Sequence, residues 1–226
     1  MPSLCAVCHG WGPQRVCGDC LGRFGAAVPR CRRCAIEVPT GVGECGSCVT
    51  HPPPFHRALA AFDYGYPWDG LVGRLKFSAA LDLAPVLAGG LRQAVAASGV
   101  ALPALLLPMP LSAARLRERG FNQAWELARR LAPGLGLRTD PDLLLRVKDS
   151  AHQLSLKPDQ RAANVRNVFA VEPSRRADLR CLEVALVDDV MTTGATAAEA
   201  TRVLLRAGAA SVQVWVVART PAPRDR

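Results

Sequence analysis

The 226-residue chain lacks an apolar run long enough to cross a membrane. The apolar stretch at residues 101–111 contains three prolines and falls far short of the roughly 20 residues that a membrane-spanning helix needs. The first residues, MPSLCAVCHG, lack the basic segment and apolar core of a secretory signal. We therefore expect a protein without a membrane span that acts in the cytoplasm.

Cysteine, in contrast, is abundant, with nine in the chain. Without an export signal, this content favours metal or redox chemistry over a disulfide framework. Eight of the cysteines form four successive CxxC pairs, and two such pairs complete a tetrahedral zinc site. The predicted ligands are Cys5, Cys8, Cys17 and Cys20 for one zinc ion and Cys31, Cys34, Cys45 and Cys48 for a second.

The spacing alone leaves the pairing of these four motifs open, because they could also interleave. Redox or iron–sulfur chemistry is a weaker alternative, because no pair is expected to open a helix as in thioredoxin. With four protein ligands at each site, both zinc ions would be structural rather than catalytic. Cys181 lies far downstream of the others and is predicted to fill space in the core.

The charge balance is basic, with a formal net charge of +9. Eight thiolates and two divalent zinc ions would lower it to about +5. Residues 112–180 carry 14 Lys and Arg against 8 Asp and Glu, so much of the positive field lies in the middle of the chain. Such a field suits a phosphate-bearing partner, although a solvated basic surface explains it about as well.

The chain divides into segments of different composition. Residues 1–50 are rich in Cys and Gly, residues 51–56 form a proline-rich linker, residues 57–220 form the main domain, and residues 221–226 form a tail. In the main domain, apolar runs alternate with helical patterns, which predict helices at residues 69–77, 82–97 and 122–132. The clearest unit is an apolar run at 184–187, a helical pattern, and a second apolar run at 212–218. This predicts a βαβ unit and an α/β domain with a parallel sheet.

The segment VALVDDVMTTGAT, residues 184–196, places two carboxylates and a Thr/Gly loop after the first of these strands. Ligands of parallel α/β sheets bind beyond the carboxyl ends of the strands. The loop and the helix start suit a phosphate, and ionised Asp188 and Asp189 suit the hydroxyls of a sugar. The candidate phosphate-binding residues are Thr192, Thr193, Gly194, Ala195 and Thr196. In the plainer interpretation, the aspartates end a strand and Thr196 caps a helix.

The same segment closely resembles the phosphoribosyl pyrophosphate (PRPP) signature of type I phosphoribosyltransferases. The resemblance implies PRPP and Mg²⁺ as ligands, with Asp188 and Asp189 as the catalytic pair. It also implies pyrophosphate contacts from the segment PMPLSAARLRERGFNQ, where Arg117 and Arg119 are the candidates. Lys76 is a further candidate to contact a phosphate, and a solvated position on an amphipathic helix is its plainer interpretation. The polar stretch before the signature strand resembles the mobile loop that closes over PRPP, with Gln153, Arg161 and Asn164 at the matching positions.

Taken in order, the doubled cysteine motif, the LKF segment and the later motifs resemble the ComF family over essentially the whole chain. The resemblance implies a phosphoribosyltransferase-like domain behind a double zinc ribbon, and a role in DNA uptake or utilisation. Single-stranded DNA, PRPP or a nucleotide, and proteins of the DNA-uptake machinery are the implied partners. Because aromatics make up only 5% of residues, DNA binding is expected to be mainly electrostatic. An active phosphoribosyltransferase and a non-catalytic PRPP sensor are the alternatives.

Overall fold

The computed structural model describes residues 2–148 and 168–222. The cysteine-rich segment contains little regular structure. Strands β1 (Ser3–Leu4) and β2 (Trp11–Gly12) pair antiparallel, and two short helices follow, α1 (Gly18–Phe24) and α2 (Gly46–Thr50). Cys17 and Cys45 directly precede these helices. The expectation that no CxxC pair opens a helix was therefore wrong, because the second pair of each cluster does so.

The main domain alternates strands and helices as predicted. Its elements are β3 (Arg57–Asp63), α3 (Trp68–Phe77), α4 (Ala84–Ala97), β4 (Leu105–Pro108), α5 (Ala113–Arg119), α6 (Gln123–Leu135), β5 (Arg138–Thr139), β6 (Leu144–Arg146), β7 (Phe169–Val171), β8 (Glu183–Met191), α7 (Ala195–Ala207) and β9 (Ser211–Arg219). Short 3-10 turns lie at Leu81–Leu83 and Pro173–Leu179.

Five strands form one parallel sheet in the order β3-β9-β8-β4-β5, which confirms the predicted α/β class. Strands β6 and β7 pair antiparallel outside this sheet. The segments predicted as helices around residues 69–77, 82–97 and 122–132 are α3, α4 and α6, with small shifts at their ends. No helix in the described ranges is long and apolar enough to cross a membrane.

Apolar side chains cover both faces of the sheet, as the continuous apolar strands require. On one face, Leu186 and Val214 pack with Val203 and Leu204 of α7. On the other face, Val187 and Trp215 pack with a larger set from α3, α4 and α6, including Leu75, Leu87, Leu91, Leu127 and Leu131. The sheet is therefore the central layer of a three-layer domain.

The structure corrects two details of the sequence analysis. Strand β8 does not end at Val187 but continues through both aspartates to Met191. Cys181 is exposed and has a positive φ of 57°, so it does not fill core space. In addition, Phe55 at the end of the proline-rich linker is 2% exposed and packs in the core of the main domain, which attaches the linker firmly to the sheet.

Candidate ligand-binding site and metal clusters

The candidate site lies where the sheet changes direction. From β4 the chain moves outward to β5, whereas from β8 it moves to β9 on the opposite side, and β4 and β8 are neighbours. Open α/β sheets bind ligands at such a switch point, beyond the carboxyl ends of the strands. The turns that leave β4 and β8 are the segments predicted to hold pyrophosphate and phosphate.

The two aspartates at the end of β8 have different surroundings. Asp189 is 2% exposed, and its Oδ2 lies 2.8 Å from Nζ of Lys76 on α3. Asp188 is only partly buried, and its Oδ1 accepts a hydrogen bond of 2.8 Å from the Asp189 backbone N–H. Lys76 was predicted to contact phosphate, and the structure places it against the acidic pair at the site.

The surroundings of Asp188 and Asp189 disfavour the simultaneous ionisation of both carboxyl groups. Burial raises the pKa of Asp188 well above its ordinary value, the negative charge of Asp189 raises it further, and the positive charge of Lys76 opposes both effects. Perturbed carboxyl groups of this kind concentrate at functional sites. The arrangement favours a ligand that brings hydroxyl donors or a cation to the pair.

The turn after β8, which we call the TTG loop (Thr192, Thr193 and Gly194), leads directly into α7. Gly194 has a φ of +80°, a left-handed conformation that glycine adopts without steric cost. Thr192 and Thr193 are exposed, and Thr193 Oγ1 accepts a hydrogen bond of 3.3 Å from the Ala195 backbone N–H. The N-cap residue of α7 is Gly194, which has no side chain to cap the helix, so Thr196 does not cap the helix start either.

The two candidate pyrophosphate-binding arginines, Arg117 and Arg119, follow the turn after β4. Both belong to α5, a helix with no buried residue. Arg119 donates a hydrogen bond of 2.5 Å to Gln123 Oε1, and its guanidinium lies 5.6 Å from the centre of the Phe77 ring. Burial lowers the pKa of Arg119, and the negative charge of Asp189 opposes this effect, so Arg119 lies within the field of the acidic pair. Arg117 is exposed.

Sequence reasoning missed two residues that hold the turns of the site. Asn122 donates a hydrogen bond of 3.1 Å to the Met109 carbonyl and accepts from Ala124 N–H, so it ties the turn after β4 to α6. Its position before a helical pattern was a usable N-cap signal. Arg219, at the end of β9, donates to the carbonyls of Met191 and Thr192, and nothing in its neighbourhood in sequence indicates this.

Three predicted loop residues, Gln153, Arg161 and Asn164, lie outside the described residues.

The eight N-terminal cysteines form two separate groups of four. Within each group all four sulfur atoms lie within 4.8 Å of one another, and the groups consist of successive rather than interleaved pairs: Cys5, Cys8, Cys17 and Cys20, and Cys31, Cys34, Cys45 and Cys48. Four converging sulfurs match the tetrahedral geometry that Zn²⁺ prefers. Both groups could therefore hold zinc.

The surroundings of the sulfurs fit a bound cation. Although burial raises the pKa of Cys5, backbone N–H groups of Cys8 and Cys17 lower it to about 6. Burial and the neighbouring thiols raise the pKa of Cys20 to about 12. Four thiols so close together cannot all ionise unless a positive charge compensates them, and a bound Zn²⁺ would supply that charge.

Comparison with curated proteins identifies the family. The chain is 36% identical to the DNA utilization protein YhgH of Salmonella typhimurium over 97% of its length and 98% of that protein's. It is 31% identical to Competence protein F of Haemophilus influenzae over 90% of both chains. The chain belongs to the ComF family. This ComF protein is also 32% identical to Competence protein ComFC of Bacillus subtilis, over 51% of its length and 45% of that protein's.

Comparisons with family models and with solved structures do not extend the assignment of the family. No protein-family model matches this ComF protein. Among solved structures, it is similar to a glutamine PRPP amidotransferase from B. subtilis, with a TM-score of 0.37 and 16% identity over 60% of this chain and 27% of that one. It is also similar to a hypoxanthine phosphoribosyl transferase of Trypanosoma cruzi, with a TM-score of 0.37 and 12% identity over 69% of this chain and 76% of that one. Neither score supports a functional assignment.

Proposed function

We propose that this ComF protein serves DNA utilisation by binding PRPP, or a related ribose phosphate, at the switch point between β4 and β8. The observation that carries the proposal is the convergence of an acidic pair, a cation and a glycine-containing loop at one edge of the sheet. Asp188 and Asp189 would accept hydrogen bonds from the ribose hydroxyls. Residues 192–196 would hold the 5′-phosphate, and Arg117 and Arg119 the pyrophosphate.

Mg²⁺ would fit the same place. Carboxylate oxygens are ligands that Mg²⁺ accepts, and it usually binds through one or two carboxylates together with substrate phosphates. The raised pKa of Asp188 supports this, because two ionised carboxylates here would carry more negative charge than Lys76 compensates. A bound Mg²⁺ would stabilise both carboxylates in their ionised form and supply charge compensation for pyrophosphate.

Calorimetry tests the site. PRPP with Mg²⁺ is titrated into the wild type, into the double variant Asp188→Asn/Asp189→Asn, and into the control Asp69→Asn. Asp69 lies in the first turn of α3, whereas Lys76 lies in its last turn, so the control loses one carboxylate away from the site. We expect wild-type and control binding, and at least a tenfold weaker affinity in the double variant. Equal affinity in all three proteins would exclude the acidic pair from the ligand site.

Single-stranded DNA is the second ligand that we propose, on the surface next to the site. Arg115, Arg117 and Arg119 project from α5, which has no buried residue. Phe77 is 80% exposed, follows Lys76 in the chain and lies beneath the guanidinium of Arg119. An exposed ring beside cations can stack a base while the cations contact the backbone phosphates.

Fluorescence anisotropy with a labelled oligonucleotide tests this surface. We expect binding that weakens steeply as salt rises, and a loss of about fivefold or more in Phe77→Ala, because each stacked base contributes about 1–3 kcal/mol. Tyr66→Ala is the matched control, because Tyr66 is also 72% exposed but packs against Phe24 of the N-terminal segment. A protein that binds no oligonucleotide at low salt would contradict this part of the proposal.

Phosphoribosyl transfer is an alternative that the position of Arg119 favours, because a cation near the acidic pair suits a departing pyrophosphate. In such a reaction the bond from ribose C1 to pyrophosphate breaks and a bond to an acceptor forms. An assay of pyrophosphate release from PRPP tests this alternative. Nucleobases, nucleotides and DNA serve as the acceptors. Binding of PRPP without pyrophosphate release would favour a sensor instead.

A further inference from the structure

Arg219 joins two parts of the molecule that the sequence keeps far apart. It is the last residue of β9 and is 7% exposed. Its Nε donates to the Cys34 carbonyl at 2.9 Å, across 185 positions of sequence. Its Nη1 donates to the carbonyls of Met191 at 3.1 Å, Thr192, and Thr220 at 2.7 Å. One side chain therefore contacts both the second cysteine cluster and the start of the TTG loop.

Among the residues that the structure describes, no carboxylate neutralises the charge of Arg219. In the described ranges all of its hydrogen bonds go to backbone carbonyls, and no ion pair involves it. A buried guanidinium without an acidic partner is costly unless it is fully hydrogen-bonded or faces another negative group. Here it lies under a loop that is proposed to bind phosphate, where its positive charge favours an anion.

The hydrogen bonds of Arg219 also orient the backbone of the loop. In a planar trans peptide, the C=O and the following N–H point in opposite directions. Because the Met191 and Thr192 carbonyls point toward Arg219, the N–H groups of Thr192 and Thr193 point away from it. Successive N–H groups that face the same side form an anion-binding concavity.

The second cysteine cluster contacts Arg219 through Cys34. Cys34 supplies both a thiol to the cluster and the carbonyl that accepts from Arg219. The surrounding segment is fixed to the sheet by Arg30 Nη1, 2.7 Å from Asp63 Oδ1, and by a backbone hydrogen bond from Ala58 N–H to the Arg32 carbonyl. Phe55 packs beneath the loop, 3.8 Å from where a Cβ on Gly194 would lie. The first cluster instead packs with Leu75 and Leu83.

We propose that Arg219 is a positioning residue that couples metal occupancy of the Cys31–Cys48 cluster to anion binding by the TTG loop. This inference rests on the proposed phosphate site. Metal bound by the second cluster fixes Cys34, the Cys34 carbonyl fixes Arg219, and Arg219 holds the loop with its N–H groups outward. Loss of that metal weakens anion binding, whereas loss of metal from the first cluster has a smaller effect.

A double-mutant cycle tests the coupling. Ribose 5-phosphate affinity is measured by calorimetry, and zinc per chain by elemental analysis, for Arg219→Met, Cys45→Ser and the combined variant. We expect about tenfold weaker binding in each single variant and little further loss in the combined one, because both changes break the same connection. Arg219→Met should keep its full zinc content. Arg219→Lys retains the positive charge but lacks the planar guanidinium that donates several hydrogen bonds at once, so it should bind ribose 5-phosphate with intermediate affinity.

Matched variants of the first cluster complete the design. Cys17→Ser should weaken binding less than Cys45→Ser, and its combination with Arg219→Met should be additive. Additive losses for Cys45→Ser with Arg219→Met, or unchanged affinity in Arg219→Met, would overturn the coupling. If the wild type binds no ribose phosphate, the proposed function fails, but hydrogen exchange still tests the coupling. The backbone amides of residues 192–196 should exchange faster in Cys45→Ser than in Cys17→Ser. Equal exchange rates in the two variants would refute the coupling.

Discussion

At the scale of single residues, the contact between Lys76 and Asp189 determines how the site holds its charge. Asp189 is 2% exposed, so its carboxylate requires a positive partner that compensates the loss of water. Lys76 meets this requirement at 2.8 Å and lies on a helix rather than on the strand that bears the aspartates. A lysine that sequence analysis assigned to phosphate thus neutralises a carboxylate in the described structure.

Removal of Lys76 should therefore destabilise the fold as well as the site. We expect Lys76→Met to lower the free energy of unfolding by about 2–3 kcal/mol, because it leaves a buried charge without a partner. The double variant Lys76→Met/Asp189→Asn should recover most of this loss. Urea denaturation of the three proteins measures the effect. A double variant as unstable as Lys76→Met would show that the ion pair is not the cause.

Asp188 should make stability depend on pH. Its pKa is raised above the ordinary value of 3.8 in the folded chain, so the unfolded chain releases this proton at lower pH than the folded one. The folded chain therefore loses stability as pH rises from about 3.8 through the raised pKa. Asp188→Asn cannot ionise and should be more stable than the wild type at pH 7, although it binds PRPP less well.

Thermal unfolding from pH 3 to pH 8 measures this difference. The advantage of Asp188→Asn should be largest at neutral pH and should disappear below the ordinary carboxyl pKa. Asp69→Asn serves as the control, because it removes one carboxylate in the first turn of α3, away from the site. If Asp188→Asn were less stable than the wild type at pH 7, the carboxylate would contribute favourable contacts that outweigh its burial.

At the scale of elements, the loop between β8 and α7 depends on one backbone conformation. Gly194 has a φ of +80°, and a Cβ there would meet Met191 and Phe55 only at ordinary contact distances of 3.5 and 3.8 Å. The cost of a substitution is therefore conformational rather than steric. We expect Gly194→Ala to lower the free energy of unfolding by about 1–2 kcal/mol and to weaken ribose phosphate binding.

Gly73→Ala is the matched control for this prediction. Gly73 lies inside α3, and a Cβ added there would enter open space, so alanine should stabilise the helix by about 1 kcal/mol. Denaturation curves and calorimetry on both variants separate the two effects. Opposite signs of the stability change are expected, and a stabilising Gly194→Ala would show that the loop tolerates another conformation.

The elements themselves were largely predictable, because their signals are local. The apolar run at 184–187 and the helical pattern after it correspond to β8 and α7. The end of β8 was not predicted correctly. Backbone pairing with β9 continues through Asp188 to Met191, and this pairing overrides the poor strand propensity of aspartate.

At the scale of the whole molecule, we expect the N-terminal segment to depend on metal for its stability. Apart from its cysteines, the small core around the second cluster contains only Val38 as a buried apolar side chain among the described residues, with partly buried Ile36 packed against it. The first cluster shares the core of the main domain through Cys5, Val16 and Cys20. The two clusters should therefore differ in their effect on stability.

We expect two zinc ions per chain, and one in either Cys17→Ser or Cys45→Ser. Cys181→Ser is the control and should retain both, because Cys181 is exposed and belongs to neither group. Chelation should lower the unfolding temperature, since zinc binding supplies folding free energy to such small modules. Elemental analysis and thermal unfolding measure these outcomes. A wild type without zinc after expression in zinc-supplemented medium would contradict the assignment.

The sequence by itself determined the features that depend on near neighbours. CxxC spacing brings two sulfurs together, apolar runs form buried strands, and a glycine between a strand and a helix permits a left-handed turn. Each of these properties follows from residues within one or two turns of chain. The pattern of motifs was also sufficient to indicate the ComF family.

Only the tertiary structure decided which distant side chains meet. Strand order places β4 beside β8, brings Lys76 to Asp189, and sets Arg219 between Cys34 and the TTG loop. Lys76 and Asp189 lie far apart in sequence, and their contact depends on how α3 packs on the sheet. Arg219 and Cys34 are also distant, and their contact depends on how the cysteine-rich segment lies against the end of β9. No local pattern encodes them, because their energies arise from burial and hydrogen bonding that exist only once the layers have assembled.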